Sequence, residues 1–157
     1  MSDLKQAFGA STAITITLNS LANAAARESL VVDNTSNLYL DALVLVIAKL
    51  AAGSPAGAKA LYVYAYGSED GTNYTDNATG ADAAITLRSP TNLRLIGAIS
   101  APDSGALSFK SHPMSIAAAF GGVMPRKWGI VLSNQSGVAL DSSANSASYS
   151  GVYQTVG

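Results

Sequence analysis

The chain has 157 residues, with 9 basic and 10 acidic side chains and a formal net charge of -1. This length is typical of one domain that buries a core without a metal or disulfide. The lack of cysteine excludes disulfides, thiolate metal sites and a cysteine nucleophile. The even charge balance, with no basic stripe, argues against a nucleic-acid partner.

The first part of the chain predicts an arm followed by short strands. Residues 1–12 show no periodicity, and we expect them to form an N-terminal arm that reaches a neighbouring copy. Residues 13–157 then form a single domain. Within it, 13–18 alternates apolar residues with threonine, as half-buried strands do, and 28–32 predicts a second strand.

A run of apolar residues from Leu43 to Ala48 is the most informative stretch of the chain. In a strand over about 38–50, Leu43, Leu45 and Ile47 lie on one face. The opposite face carries Leu38, Leu40, Val44, Val46 and Leu50. One apolar face can fill the core of the domain, but the second needs another cover. In so small a chain, we expect that cover to be another subunit.

The next predicted strand, over 60–66, places Tyr62, Tyr64 and Tyr66 on one face. Tyrosine combines a large apolar area with a polar tip and is favoured at interfaces. Two interpretations are open. The tyrosines either face the sandwich interior or lie under a loop, or they form a subunit contact or a platform for sugar stacking.

The remaining pattern continues with short strands and one helical piece. Strands are predicted over 84–88, 93–100, 106–110, 128–132 and 149–156, with turns at 67–73 and 102–105 and a helix over 114–120. The strand over 128–132 is again apolar on both faces. Eight or nine short strands with frequent turns predict an all-β protein, an antiparallel β-sandwich that is jelly-roll-like, with at most one short helix.

No constellation of residues predicts catalysis, and no catalytic, cofactor-binding or metal site is expected. His112 is the single histidine, which is too few for a histidine-based zinc site, and its setting favours an ordinary loop residue. Glu69, Asp70, Asn73, Asp76 and Asp82 offer oxygen ligands for calcium, but their spacing is not that of an EF-hand loop. A solvated hairpin tip explains them better.

The surface composition favours contact with other protein. Charged residues make up 12% of the chain, against about 25% in an average soluble domain. Ala, Ser, Thr and Gly fill 72 of the 157 positions, and small side chains allow close backbone approach. The alternative is a surface that is merely neutral. The longest apolar run is far too short to span a bilayer, so no membrane partner is expected.

Five stretches of the chain resemble a group of small virion proteins that tailed bacteriophages encode among their head and neck genes. The stretches are DNTSNLYLDALVLV, LYVYAYGSEDGTNYTD, TNLRLIGAISAP, AAAFGGVMPRKWGIVLSN and SGVALD, within residues 14–141. The resemblance implies a virion component, with capsid decoration or cement protein as the nearest role. Many such proteins are jelly rolls or sandwiches that assemble as oligomers. The group supplies no active-site residues.

We therefore predict a non-enzymatic virion protein, assembled in the bacterial host cytoplasm, that forms homo-oligomers and binds the major capsid protein or other virion proteins. The predicted interface residues are Leu43, Leu45, Ile47, Tyr62, Tyr64 and Tyr66. One alternative is a neck, tail or baseplate module that binds host surface carbohydrate through exposed tyrosines. Another is a virion enzyme such as a glycosidase, which would depend on His112 and the loop carboxylates.

Overall fold

A computed structural model describes residues 3–102 and 107–157 as two antiparallel sheets with one helical turn. The elements are β1 (Leu4–Phe8), β2 (Thr12–Ile14), β3 (Ala26–Glu28), β4 (Val32–Asp33), β5 (Asp41–Lys49), β6 (Ala60–Ser68), β7 (Ala83–Ile85), β8 (Arg94–Ser100), β9 (Ser108–Lys110), β10 (Met114–Ser115), α1 (Ile116–Ala119), β11 (Lys127–Gln135) and β12 (Ser146–Val156). The all-β prediction is confirmed.

The two sheets have the strand order of a jelly roll. Sheet A runs β1-β12-β5-β10, with β2 also on β12 and β9 also on β5, and sheet B runs β7-β3-β11-β6-β8, with β4 also on β11. If β1/β2, β3/β4 and β9/β10 each count as one interrupted strand, sheet A reads 1-8-3-6 and sheet B reads 2-7-4-5, with β7 as an added edge. The predicted sandwich architecture is confirmed.

The main core lies between the inner faces of the two sheets. Its largest fully buried members are Leu18, Leu50, Leu61, Met114, Ile116, Trp128, Ile130, Leu132 and Leu140. The Trp128 ring meets the Tyr149 ring edge-on, with 5.2 Å between the ring centroids. Burial of each large apolar side chain contributes roughly 1.5–3 kcal/mol, so this layer supplies most of the stability.

A second, smaller core lies on the outer face of sheet B. Segment 69–93, which connects β6 to β8, folds across this face. Together with the sheet it forms a cluster of buried residues: Ala26, Tyr66, Ala78, Ile85, Leu93 and Val131. The outer face of β6 and β11 is therefore covered by the chain itself, which explains why both strands carry apolar side chains on two faces.

Tyr66 fits into this second core because its neighbour has no side chain. Gly129 lies opposite Tyr66 in the β6–β11 ladder, and a Cβ there would lie 2.3 Å from the Cζ and hydroxyl of Tyr66. The ring is fully buried, and its hydroxyl donates to the carbonyl of Ser29 at 2.7 Å. The ring therefore cannot move aside without breaking this bond.

The substitution Gly129→Ala is expected to lower the free energy of unfolding by about 3 kcal/mol, because the added methyl group overpacks a closed site. Urea unfolding followed by tryptophan fluorescence measures the effect. Gly9→Ala is the control, since its added Cβ would come no closer than 3.3 Å to any neighbouring atom. Equal stability of the two variants would contradict this description of the Tyr66 site.

Several predicted elements differ from the observed ones. The predicted arm is not free, because β1 pairs with β12 of its own chain. The predicted strand over 28–32 is interrupted, because the Leu30 N–H donates to Thr15 and the Val31 N–H to Gly80 instead of to the ladder. The predicted helix over 114–120 is shortened, because residues 114 and 115 pair with β5 before Ser115 caps α1. The predicted turn at 102–105 lies largely outside the described residues.

Candidate interface on the outer face of sheet A

The outer face of sheet A carries the apolar side chains that the sequence singles out. Along β5, Val44 and Val46 are fully buried in the core, while Leu43, Leu45 and Ile47 alternate with them and are half-buried. These three residues, called the ridge below, belong to neither core cluster of the described chain. Sheet B has a second apolar layer on its outer face, and the ridge occupies the corresponding place on sheet A.

Short side chains flank the ridge. On β12, serines lie opposite each ridge residue: Ser150 opposite Leu43, Ser148 opposite Leu45 and Ser146 opposite Ile47. On the other side of β5, Ser115 lies opposite Leu43 and Lys110 opposite Ile47. Because serine is small, the three aliphatic side chains stand above the β12 surface along about 13 Å of strand.

The charged residues at the two ends of the ridge have partners within the chain. The Asp41 carboxylate accepts hydrogen bonds from the Ser115 hydroxyl at 2.7 Å and from the Ala117 N–H at 2.8 Å. The Lys49 ammonium lies 3.4 Å from the Asp141 carboxylate. Both charges therefore have partners within the chain, and between them along β5 the outward side chains are the three aliphatic residues of the ridge.

The same face extends to the edge of sheet A. Phe8 lies opposite Val152, and Leu4 lies opposite Val156. Leu4 is 69% exposed, Phe8 57% and Val156 66%. Sequence reasoning missed this part of the face because residues 1–12 were predicted to be an arm. The sequence LKQAF carries no periodic signal of a strand, because polar Gln6 shares a face with Leu4 and Phe8.

The predicted tyrosines lie on the opposite side of the molecule. They project from the outer face of sheet B, where Tyr62 and Tyr64 are half-buried and Tyr66 is completely buried. The inclusion of Tyr66 in an interface was wrong, because the tyrosine lies beneath segment 69–93 and offers no surface to a partner. The six predicted interface residues therefore do not form one site, and only the ridge stays together.

The candidate residues for chemistry are dispersed. His112 is exposed and makes no hydrogen bond to a hydroxyl or carboxylate in the described part of the chain. The loop carboxylates have structural partners: Asp70 accepts from the N–H groups of Thr72 and Asn73 within its own turn, while Asp76 and Asp82 bind the more distant Thr91 and Arg27. Within residues 3–102 and 107–157, no three His, Asp or Glu side chains lie close enough together to hold a metal ion.

Two of the loop carboxylates, Asp76 and Asp82, predict how the stability of the fold depends on pH. Hydrogen bonds from Thr91 and Asn92 hold the pKa of Asp76 below its ordinary value of 3.8. Burial raises the pKa of Asp82, but hydrogen bonds from Arg27 and Thr17 outweigh it, and the net shift is also downward. The folded chain thus binds fewer protons than the unfolded chain in the range just below these ordinary values.

Stability is therefore expected to be nearly constant between about pH 7 and pH 5 and to fall below about pH 4, as the pH drops toward the lowered pKa values. Calorimetric unfolding temperatures between pH 7 and pH 2 test this. Asp76→Asn should be less stable than the parent at pH 6 and should lose less stability on acidification. An identical acid slope in the parent and the variant would contradict the assignment for Asp76.

One end of the sandwich has an apolar groove. A cavity of about 690 Å³ lies between the 34–40 turn and residues 122–126, where Leu38 and Val123 are 71% and 72% exposed. A neighbouring cavity of about 650 Å³ contains Tyr39 and Tyr153, whose ring centroids are 6.2 Å apart. These aromatic side chains were not among the predicted interface residues.

Comparison of the chain with known protein families, with curated proteins and with solved structures gives no match. No helix in the described part of the chain has the length and apolar character needed to cross a membrane. The resemblance to phage virion proteins thus stays a prediction.

Proposed function

We propose that this protein is a non-enzymatic structural protein of a tailed-bacteriophage virion, which decorates the capsid and stabilises the head. Its partners are the major capsid protein and sister copies. The observation that carries the proposal is the ridge, an apolar stripe bordered by the serines of β12, which lies outside both cores of the described chain. The resemblance of the sequence to small phage virion proteins supports the assignment to a virion.

The position of the ridge suits rigid docking. β5 is an inner strand of sheet A, held by β12 on one side and by β9 and β10 on the other. Its backbone is therefore fixed before a partner arrives, and little backbone entropy is lost on binding. The serines of β12 leave room for a partner to approach the three aliphatic side chains closely.

A stable contact buries at least about 1,000 Å² in total, so the ridge alone is too small to account for one. The exposed apolar residues of β1 and the end of β12 lie on the same face of sheet A and enlarge the docking surface. If each copy bridges neighbouring capsid subunits, it opposes the outward pressure of packaged DNA.

Addition of the purified protein to undecorated heads tests the proposal. We expect the protein to co-sediment with the heads and to raise the temperature at which they release DNA. Light scattering coupled to size exclusion measures its oligomeric state in parallel. A monomer that neither binds heads nor protects them from heat would refute the decoration function.

Carbohydrate recognition is a second candidate function, and the Tyr39–Tyr153 pair favours it. Asn37 and Gln154 line the same cavity and provide polar groups that can bind sugar hydroxyls. This function belongs to a neck, tail or baseplate module. A glycan array would give hits that Tyr153→Ala abolishes, and an array without hits would count against this function.

A further inference from the structure

After residue 152, β12 no longer pairs with β5, and this part of sheet A consists of two strands, β1 and β12. β12 pairs with β5 through residues 146–152 and with β1 through residues 152–156. Residues 153–156 and nearly all of β1 are exposed. A ribbon of two strands is only marginally stable by itself in water, so this part of the sheet is suited to receiving a third strand.

The outer edge of β1 carries backbone N–H and C=O groups that can pair with another strand. The Gly9 N–H donates to the Gly151 carbonyl at 2.8 Å, and the Gly157 N–H donates to the Asp3 carbonyl at 3.0 Å. Because antiparallel ladders alternate, the odd-numbered residues of β1 direct their backbone groups to β12. Leu4, Gln6 and Phe8 consequently direct their N–H and C=O groups to the outer edge of β1, where no strand of the described residues pairs.

β1 has few of the features that keep edge strands from pairing. It has the sequence LKQAF, without proline, and its pairing with β12 continues without a bulge from Leu4 to Phe8. Lys5 is its one charged residue. Native edge strands are usually protected by several charges, a proline or a bulge, so β1 is an open template for another strand.

We infer that two copies of this chain join edge to edge through β1, in an antiparallel register centred on Gln6. The inference rests on the proposed function, in which sister copies associate, and it identifies the surface that joins them. In this register Leu4 faces the second copy's Phe8, and Lys5 faces the second copy's Ala7. The pairing adds about six backbone hydrogen bonds, and each exposed Leu4 packs beside a phenylalanine ring.

The self-complementary sequence selects a second copy as the occupant. Antiparallel pairing of two identical edges has a two-fold axis through the Gln6 pair, perpendicular to the sheet. Lysine faces alanine, so no like charges oppose each other directly. Because the axis is perpendicular to the sheet, the ridges of both copies point to the same side, and a dimer presents two ridges to one partner surface.

Single cysteines test this register, since the natural chain has none. Directly opposed residues of a hydrogen-bonded pair have Cα atoms about 5.5 Å apart, which permits a disulfide. We expect oxidised Gln6→Cys to form a covalent dimer. Leu4→Cys is the matched control, because its two copies would lie about 13 Å apart, but a mixture of Leu4→Cys and Phe8→Cys should cross-link.

Gln6→Pro gives an independent measurement. Proline removes an N–H that points to the free edge and is not needed within the chain's own sheet. We expect a folded monomer by light scattering where the parent is dimeric. Equal cross-linking of Gln6→Cys and Leu4→Cys, or a dimer that survives Gln6→Pro, would overturn the inference.

Exchange of the N-terminal strand between copies has a different signature. In an exchanged dimer, Gln6→Cys would cross-link between chains to Gln154→Cys, and that result would also overturn the inference. The cross-linking result and the test of the proposed function can be told apart. Head binding without the Gln6 cross-link leaves the decoration function standing, and the cross-link without head binding leaves only the dimer.

Discussion

Leu45→Lys is expected to abolish stable binding to heads, with an affinity at least about 100-fold lower than that of the parent. Leu45 is the central residue of the ridge, and on docking it would lie at the centre of the buried face. A lysine there loses the aliphatic contact and places an unpaired ammonium in a desolvated interface, which together cost about 3 kcal/mol or more. Co-sedimentation with undecorated heads over a range of protein concentrations measures the loss.

The fold should tolerate this change, because Leu45 is half-buried and belongs to neither core cluster of the described chain. Leu95→Lys is the matched control. Leu95 is also a strand leucine, 56% exposed, but it pairs with Tyr64 and lies on the outer face of sheet B. We expect normal head binding from Leu95→Lys. Equal loss in both variants would point to a general effect of added charge and against the ridge.

The substitution Glu28→Ala is expected to lower the free energy of unfolding by about 3 kcal/mol, because it removes the hydrogen bonds that hold segment 69–93 on sheet B. Glu28 is 1% exposed. Its carboxylate accepts from the Thr79 N–H at 2.8 Å and from the Thr79 hydroxyl at 2.7 Å. Hydrogen bonds to a charged group contribute roughly 1.5–3 kcal/mol each, and alanine removes both of these bonds at once.

Urea unfolding measures this loss, with Trp128, the one tryptophan of the chain, as the fluorescent probe. Glu28→Gln is the control, since an amide of the same size can keep an oxygen toward the Thr79 N–H. Hydrogen exchange should also quicken in residues 69–93 of Glu28→Ala. A variant as stable as the parent would mean that the second core holds the segment without this carboxylate.

The architecture could be predicted from local patterns, because strand faces leave a period of two in the sequence. The runs after Leu43 and Trp128 were correctly interpreted as strands with two apolar faces. The edge strand β1 could not be recognised, because its sequence LKQAF does not alternate: Gln6 shares a face with Leu4 and Phe8. Its pairing depends on β12, at the other end of the chain.

Which residues cover the outer face of each sheet could not be predicted, because this depends on contacts between residues that are distant in sequence. Ala78 and Leu93, which cover the outer face of sheet B, and Ile85, on its edge strand β7, are spaced too irregularly to suggest a layer. The burial of Tyr66 depends on Gly129, which lies far away in sequence. The ridge was foreseen as a face in need of a partner, while Tyr66 was assigned to the wrong environment.

Maleimide labelling of a Leu45→Cys variant tests the central claim most directly. The thiol would be the only one in the chain, and its rate of modification reports whether the outer face of sheet A is open or covered. Thr72→Cys, on the exposed part of segment 69–93, is the control for general access. We predict that Leu45→Cys is labelled in the free protein and protected on heads, while Thr72→Cys is labelled in both. Equal labelling of Leu45→Cys in the free and the head-bound protein would contradict the assignment of the ridge as the docking surface.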